Sequence, residues 1–121
     1  MTASTESTAI SHRRMFHQYP EPSWCEFYTT SKLVEQIRKI GVDELYVGPD
    51  ALDPKRRLGV HNENELGNWR QKALEKGASK EVLKQTEGGM TGLVAVLGRG
   101  EGPVVGLRVD IDALPFNEAD D

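Results

Sequence analysis

Cysteine is nearly missing from this chain: Cys25 is the one residue of its type among 121. An intramolecular disulfide framework is therefore excluded. With three histidines beside that single thiol, there is no Cys/His pattern on which a zinc module could be built. Cys25 sits in Trp24-Cys25-Glu26-Phe27 and suits a small apolar residue at a helix start better than a nucleophile. Long apolar runs are missing too, the longest falling far short of the roughly 20 residues that cross a bilayer as a helix, so no membrane span is expected. Met1 to Thr8 is small and polar, without a charged start followed by an apolar stretch, and does not have the pattern of a secretory signal. A cytoplasmic setting is the expectation. Concentrated positive charge is also absent: 15 basic and 19 acidic residues are interspersed and leave a net charge of −4. The one basic run, Lys55-Arg56-Arg57, follows a proline and suits a solvated loop, so no nucleic-acid partner is expected.

The length suits one small domain. Residues 1 to 10 are expected to be a disordered N-terminus that gives way from about Thr8 to a first helix, which ends at Gln18 before Pro20 because the residue preceding a proline is pushed out of the helical region. Ser23 and Glu26 have capping-box spacing, and Leu33, Val34, Ile37 and Ile40 recur with helical period up to Gly41, which predicts a helix over about 24–40. Leu45-Tyr46-Val47 suits a short strand. Asn62 and Glu65 repeat the capping signature ahead of Leu66, Trp69 and Ala73, and Ser79 suits the cap of a further short helix through Gln85. Because these helices lie between strand candidates, residues 49 to 86 are expected to be a helical insertion rather than core. The apolar runs Leu93–Leu97 and Val104–Val109 flank a glycine-rich turn and suit a hairpin or adjacent buried strands. The expected class is α/β, with two to three helices followed by a strand pair.

Chemistry concentrates in Leu107-Arg-Val-Asp-Ile-Asp-Ala-Leu-Pro-Phe-Asn-Glu118. In an extended chain Asp110 and Asp112 share a face while Leu107, Val109 and Ile111 point the other way. Neighbouring carboxylates repel, and are tolerated where a metal ion, a cation or a shared proton compensates. The same pattern fits a magnesium phosphotransferase strand, but that chemistry needs a lysine and an acidic pair further on, for which Ala113 to Asp121 leave no room. His17 falls at a helix C-terminus, where an imidazolium suits the dipole. The glycines of Thr86-Glu-Gly-Gly-Met-Thr-Gly92 lead into a strand rather than out of one, which suits a tight turn and not a phosphate cradle.

Taken together, Arg13-Arg14-x-x-His17-x-x-Pro20-Glu21, Gly89-x-Thr91-Gly92-Leu93-Val94-Ala95 and Leu107-Arg108-x-Asp110-x-Asp112-Ala113-Leu114-Pro115 with Glu118 resemble the metal-dependent amidohydrolases of the aminoacylase and carboxypeptidase clan. Ser23-Trp24-Cys25-Glu26-Phe27, the 49–86 segment and Glu87-Gly88-Gly89 are most similar to its aminobenzoyl-glutamate utilisation proteins. The resemblance implies that residues 11 to 121 form the N-terminal portion of a zinc-peptidase-like, three-layer catalytic domain. Its parent would be a two-metal enzyme that hydrolyses the amide bond of an N-acyl or aminobenzoyl amino acid with zinc or manganese. Family members carry their metal ligands and general base after the Asp-x-Asp strand, so the resemblance assigns no metal ligand and no cofactor to this chain alone. It makes Asp110 and Asp112 supporting residues on the strand beneath the metals, one near the metal site and the other orienting a ligand. Tyr19 departs from the histidine often found in relatives. The chain alone is expected to be inactive; a subunit that needs a partner chain or a homo-oligomer, and a small non-enzymatic α/β binding domain, are the alternatives.

Overall fold

A computed structural model describes residues 3 to 117 and residue 119; Met1, Thr2 and Glu118 of the motif lie outside the described residues. Helix α1 (Ala3–Gln18) begins inside the stretch expected to be disordered. No glycine or proline interrupts residues 1 to 19, Glu6 lies in the first turn where the helix dipole favours an acid, and the Thr8 and Ser11 hydroxyls donate back to the carbonyls of Ser4 and Ser7.

Helix α2 (Phe27–Ile40) starts three residues later than the Ser23-x-x-Glu26 spacing suggests. Trp24 takes a left-handed backbone with φ 64°, which interrupts the capping box. The orphan N–H groups at the helix start are met instead by Glu21, whose carboxylate accepts from Tyr28 N at 2.9 Å and Thr29 N at 2.7 Å. At the other end Gly41, with φ 82°, returns its N–H to the Ile37 carbonyl, as the sequence predicts.

Strand β1 (Glu44–Val47) pairs antiparallel with β2 (Leu93–Val96), Val47 opposite Leu93 and Glu44 opposite Val96. The expected pairing of Leu93–Leu97 with Val104–Val109 does not occur: residues 103 to 114 form no regular structure. That run is apolar on successive residues, the pattern of a strand covered on both faces, and the described residues cover neither; Val104 is 99% and Leu107 90% exposed.

Helices α3 (Glu63–Glu75) and α4 (Lys80–Gln85) start where the sequence places them, with the Asn62 side chain accepting from Glu65 N and the Ser79 side chain from Val82 N. Segment 49–86 is helical, but it is not laid outside the core. Leu66, Ala73, Ala78 and Leu83 pack with Cys25, Phe27 and Tyr28, and Val82 packs with Val34 and Val47. Ser79 N also donates to Ser31 Oγ at 2.8 Å, tying α4 to α2. Among the described residues the architecture is mixed α/β: four α-helices and a two-stranded sheet, with α2 packed against α3 and α4. No helix among the described residues is long and apolar enough to cross a membrane.

Candidate functional site

Asp110 and Asp112 border one cleft of about 430 Å³. Its walls come from α2 through Leu33 and Ile37, from the start of β2, and from the irregular 108–112 segment; Trp24, Glu26 and Thr91 also line it. The 108–112 segment is anchored at its far end, where Ala113 N donates to the Glu21 carbonyl at 2.8 Å. Glu21 thus caps α2 with its side chain and holds the Asp-bearing segment with its backbone.

The i, i+2 spacing brings Arg108 into the arrangement: its Nη2 lies 2.7 Å from Asp110 Oδ1, with both side chains exposed. The compensating cation is therefore a neighbour in sequence. The expected division into a carboxylate face and an apolar face is incomplete, because Val109 and Ile111 border the cleft with the two acids; without a strand beside it, nothing fixes the pleat of this segment.

Sequence reasoning missed the buried pair Glu26 and Thr91. Glu26 is 7% and Thr91 5% exposed, and the Thr91 hydroxyl donates to Glu26 Oε2 across 65 residues. The Ser23-x-x-Glu26 spacing did single out this glutamate, but as a cap; its partner is the threonine that leads into β2. Burial pushes the Glu26 carboxyl up, and the charge of Asp112 across the cleft adds to that push, against the Thr91 hydrogen bond. Glu21 is raised by burial as well, although its two N–H donors oppose the shift. The Cys25 thiol is pushed up to about 12 by burial and by Glu26, Glu21 and Glu65, which leaves it a protonated core residue and not a nucleophile.

These raised carboxyls set a pH dependence. The folded chain holds Glu26 and Glu21 protons that the unfolded chain, with ordinary values near 4.5, has already released. Stability therefore increases as pH falls through the raised folded-state values toward about 4.5, and is lost as pH rises back through them. Glu26→Gln keeps an acceptor for Thr91 and removes the charge, so it is expected to be at least as stable as the wild type at pH 7 and to show a shallower change of urea midpoint between pH 7 and pH 5. Equal slopes in the two proteins would count against a raised Glu26.

His17 is not brought to this cleft. It lies in the last turn of α1 and borders a separate, wide opening with Pro20, Leu114 and Phe116. Among the described residues no three His, Cys, Asp or Glu side chains converge as a metal site would require, and Asp110 and Asp112 by themselves do not make one. The donor set among the described residues does not by itself fit a bound zinc or manganese ion.

No protein-family model matches the chain. Over 110 residues it is 46% identical to the indole-3-acetyl-aspartic acid hydrolase of Enterobacter agglomerans, covering 90% of this chain and 25% of that protein. It is 38% identical to a p-aminobenzoyl-glutamate hydrolase chain of Escherichia coli strain K12, covering 93% and 26%. In structure it matches the aminobenzoyl-glutamate utilization protein from Klebsiella pneumoniae with a TM-score of 0.70 and 35% identity, over 74% of this chain and 22% of that one. The chain is homologous to these hydrolases over nine-tenths of its length and spans about a quarter of theirs.

Proposed function

We propose that this chain is a segment of the catalytic unit of a hydrolase that cleaves the amide bond of N-acyl amino acids, an aminobenzoyl or similar aromatic acyl group among them. The observation that carries this reading is the 46% identity to a hydrolase named for an indole-acetyl conjugate of an acidic amino acid, joined by the structural likeness to an aminobenzoyl-glutamate utilization protein. In this reading the mixed α/β fold is part of a zinc-peptidase-like three-layer domain, and the 108–112 segment is one of its strands.

Asp110 and Asp112 would then stand beneath the reacting centre and orient a neighbouring ligand by hydrogen bonding. Asp110 is balanced by Arg108, so it brings little net charge to the cleft. Glu26 and Thr91 hold the floor in place. The divalent ion that the resemblance implies, zinc or manganese, finds no ligand set among the described residues; we assign its ligands to the part of the hydrolase that this chain does not span. Purified 121-residue protein, given manganese or zinc and either aminobenzoyl-glutamate or indole-3-acetyl-aspartate, is expected to release no free amino acid. Metal-dependent release by the chain alone would overturn the reading.

A second reading, in which a partner chain completes the enzyme, has its own support. Val104, Val105, Leu107, Leu114 and Phe116 are all more than two-thirds exposed, a stretch of apolar surface that calls for cover, and the Escherichia coli relative is named as one subunit of its hydrolase.

A further inference from the structure

We propose that Arg57 is a positioning residue of this cleft: its guanidinium clamps the Trp24 wall to the segment that carries Thr91, and so keeps Thr91 against Glu26. The inference rests on the reading of the cleft as the functional site. Of the three consecutive cations Lys55, Arg56 and Arg57, the first two are exposed and the third is half-buried. Arg57 Nη1 donates to the Gly88 carbonyl at 2.9 Å and its Nε to the Pro54 carbonyl at 3.3 Å, while the guanidinium lies 5.4 Å from the centre of the Trp24 ring. The next residue adds a further tie, because Trp24 Nε1 donates to the Leu58 carbonyl at 2.7 Å.

These contacts converge on a place where the backbone has no slack. Trp24 holds a left-handed φ of 64°, a conformation that costs a bulky residue of order 1 kcal/mol or more unless its surroundings enforce it. Its carbonyl lies against Gly89, where an added Cβ would come within 2.7 Å of that oxygen and 3.5 Å of Arg57 Nη1. Two residues beyond Trp24 is Glu26, and two residues beyond Gly89 is Thr91. The Arg57 contacts and the Thr91–Glu26 hydrogen bond are thus parallel ties between the same two segments, and slack in the first is passed to the second. A guanidinium suits the task because its planar fork can meet two carbonyls while its face stacks on an indole; a lysine ammonium offers one point of attachment.

The test is amide and indole hydrogen exchange by NMR on the 121-residue chain, in wild type, Arg57→Lys and Arg57→Ala. In both variants exchange at Trp24 Nε1 and at the Thr91 amide is expected to accelerate at least tenfold, with a shift of the Trp24 indole resonance. Amides in the middle of α3 should keep their wild-type protection. Unchanged Trp24 and Thr91 exchange would overturn the clamp, and so would full rescue by lysine. Loss of protection spread evenly over α2, α3 and α4 would also overturn it, by reducing Arg57 to a general stabiliser. Because this readout needs no turnover, a failure here is distinct from a failure to hydrolyse, which would bear on the proposed function alone.

Discussion

Replacing Glu21 with alanine is expected to lower the unfolding free energy by about 3 kcal/mol, the sum of a lost helix cap and two buried donors left without acceptors. Glu21 is 4% exposed, and the Tyr28 and Thr29 amides it serves belong to residues that are themselves 5% exposed, so water cannot take its place at either N–H. Glu21→Gln retains one carbonyl oxygen and should cost less than half as much. The loss extends to the site: the Glu21 carbonyl receives Ala113 N, so a loosened cap frees the end of the Asp110–Asp112 segment, and exchange at the Ala113 amide should accelerate along with that of Tyr28 and Thr29. Urea unfolding followed by near-UV circular dichroism gives the magnitude. A loss below about 1 kcal/mol would mean that Glu21 is not the cap.

Gly48→Ala is expected to be worse, at about 4 kcal/mol or complete loss of cooperative unfolding. Gly48 follows β1 directly with φ 65°, and a Cβ built there would overlap the backbone carbonyl of Gln85 at the end of α4. No side chain can rotate away to relieve that contact; either the sheet or α4 must move. Gly41 supplies the control. Its φ is 82°, yet nothing lies within 4 Å of an added Cβ, so Gly41→Ala should cost only the left-handed backbone, about 1 kcal/mol. If the two variants unfold at the same urea concentration, α4 does not sit against β1 as described.

The parts of this fold legible in the sequence were those governed by contacts a few residues apart. Asn62 and Ser79 cap their helices because a short side chain followed by helical periodicity leaves little else for it to do. Gly41 and the Leu45–Val47 strand follow the same logic. Ser23 failed because the turn through Trp24 diverts the chain, and the carboxylate that replaces it lies outside the capping-box window. The strand predicted at 104–109 failed for a different reason: a continuous apolar run states that a strand needs cover on two faces, but not where the cover comes from. Segment 49–86 looked peripheral because it separates two strands; its burial depends on α2, which pattern alone does not locate.

The candidate site was half legible. Asp110 and Asp112 stood out by charge in an apolar run, and they do border a cleft. Glu26 with Thr91, and Trp24 with Arg57, were out of reach because each pair joins residues far apart in the chain, and no spacing rule links them.

If this segment builds one edge of an amide-hydrolysing site, a segment exchange tests it most directly. Residues 11 to 117 of this chain would be placed in the Enterobacter agglomerans indole-3-acetyl-aspartic acid hydrolase in place of the stretch that aligns with them, and aspartate release measured from indole-3-acetyl-aspartate. The prediction is that the exchanged enzyme turns over, and that Asp112→Asn within it lowers kcat/KM by about 10- to 100-fold, the range found when a residue that orients a metal ligand is removed. A folded exchanged enzyme without turnover, or one indifferent to both Asp110→Asn and Asp112→Asn, would contradict it.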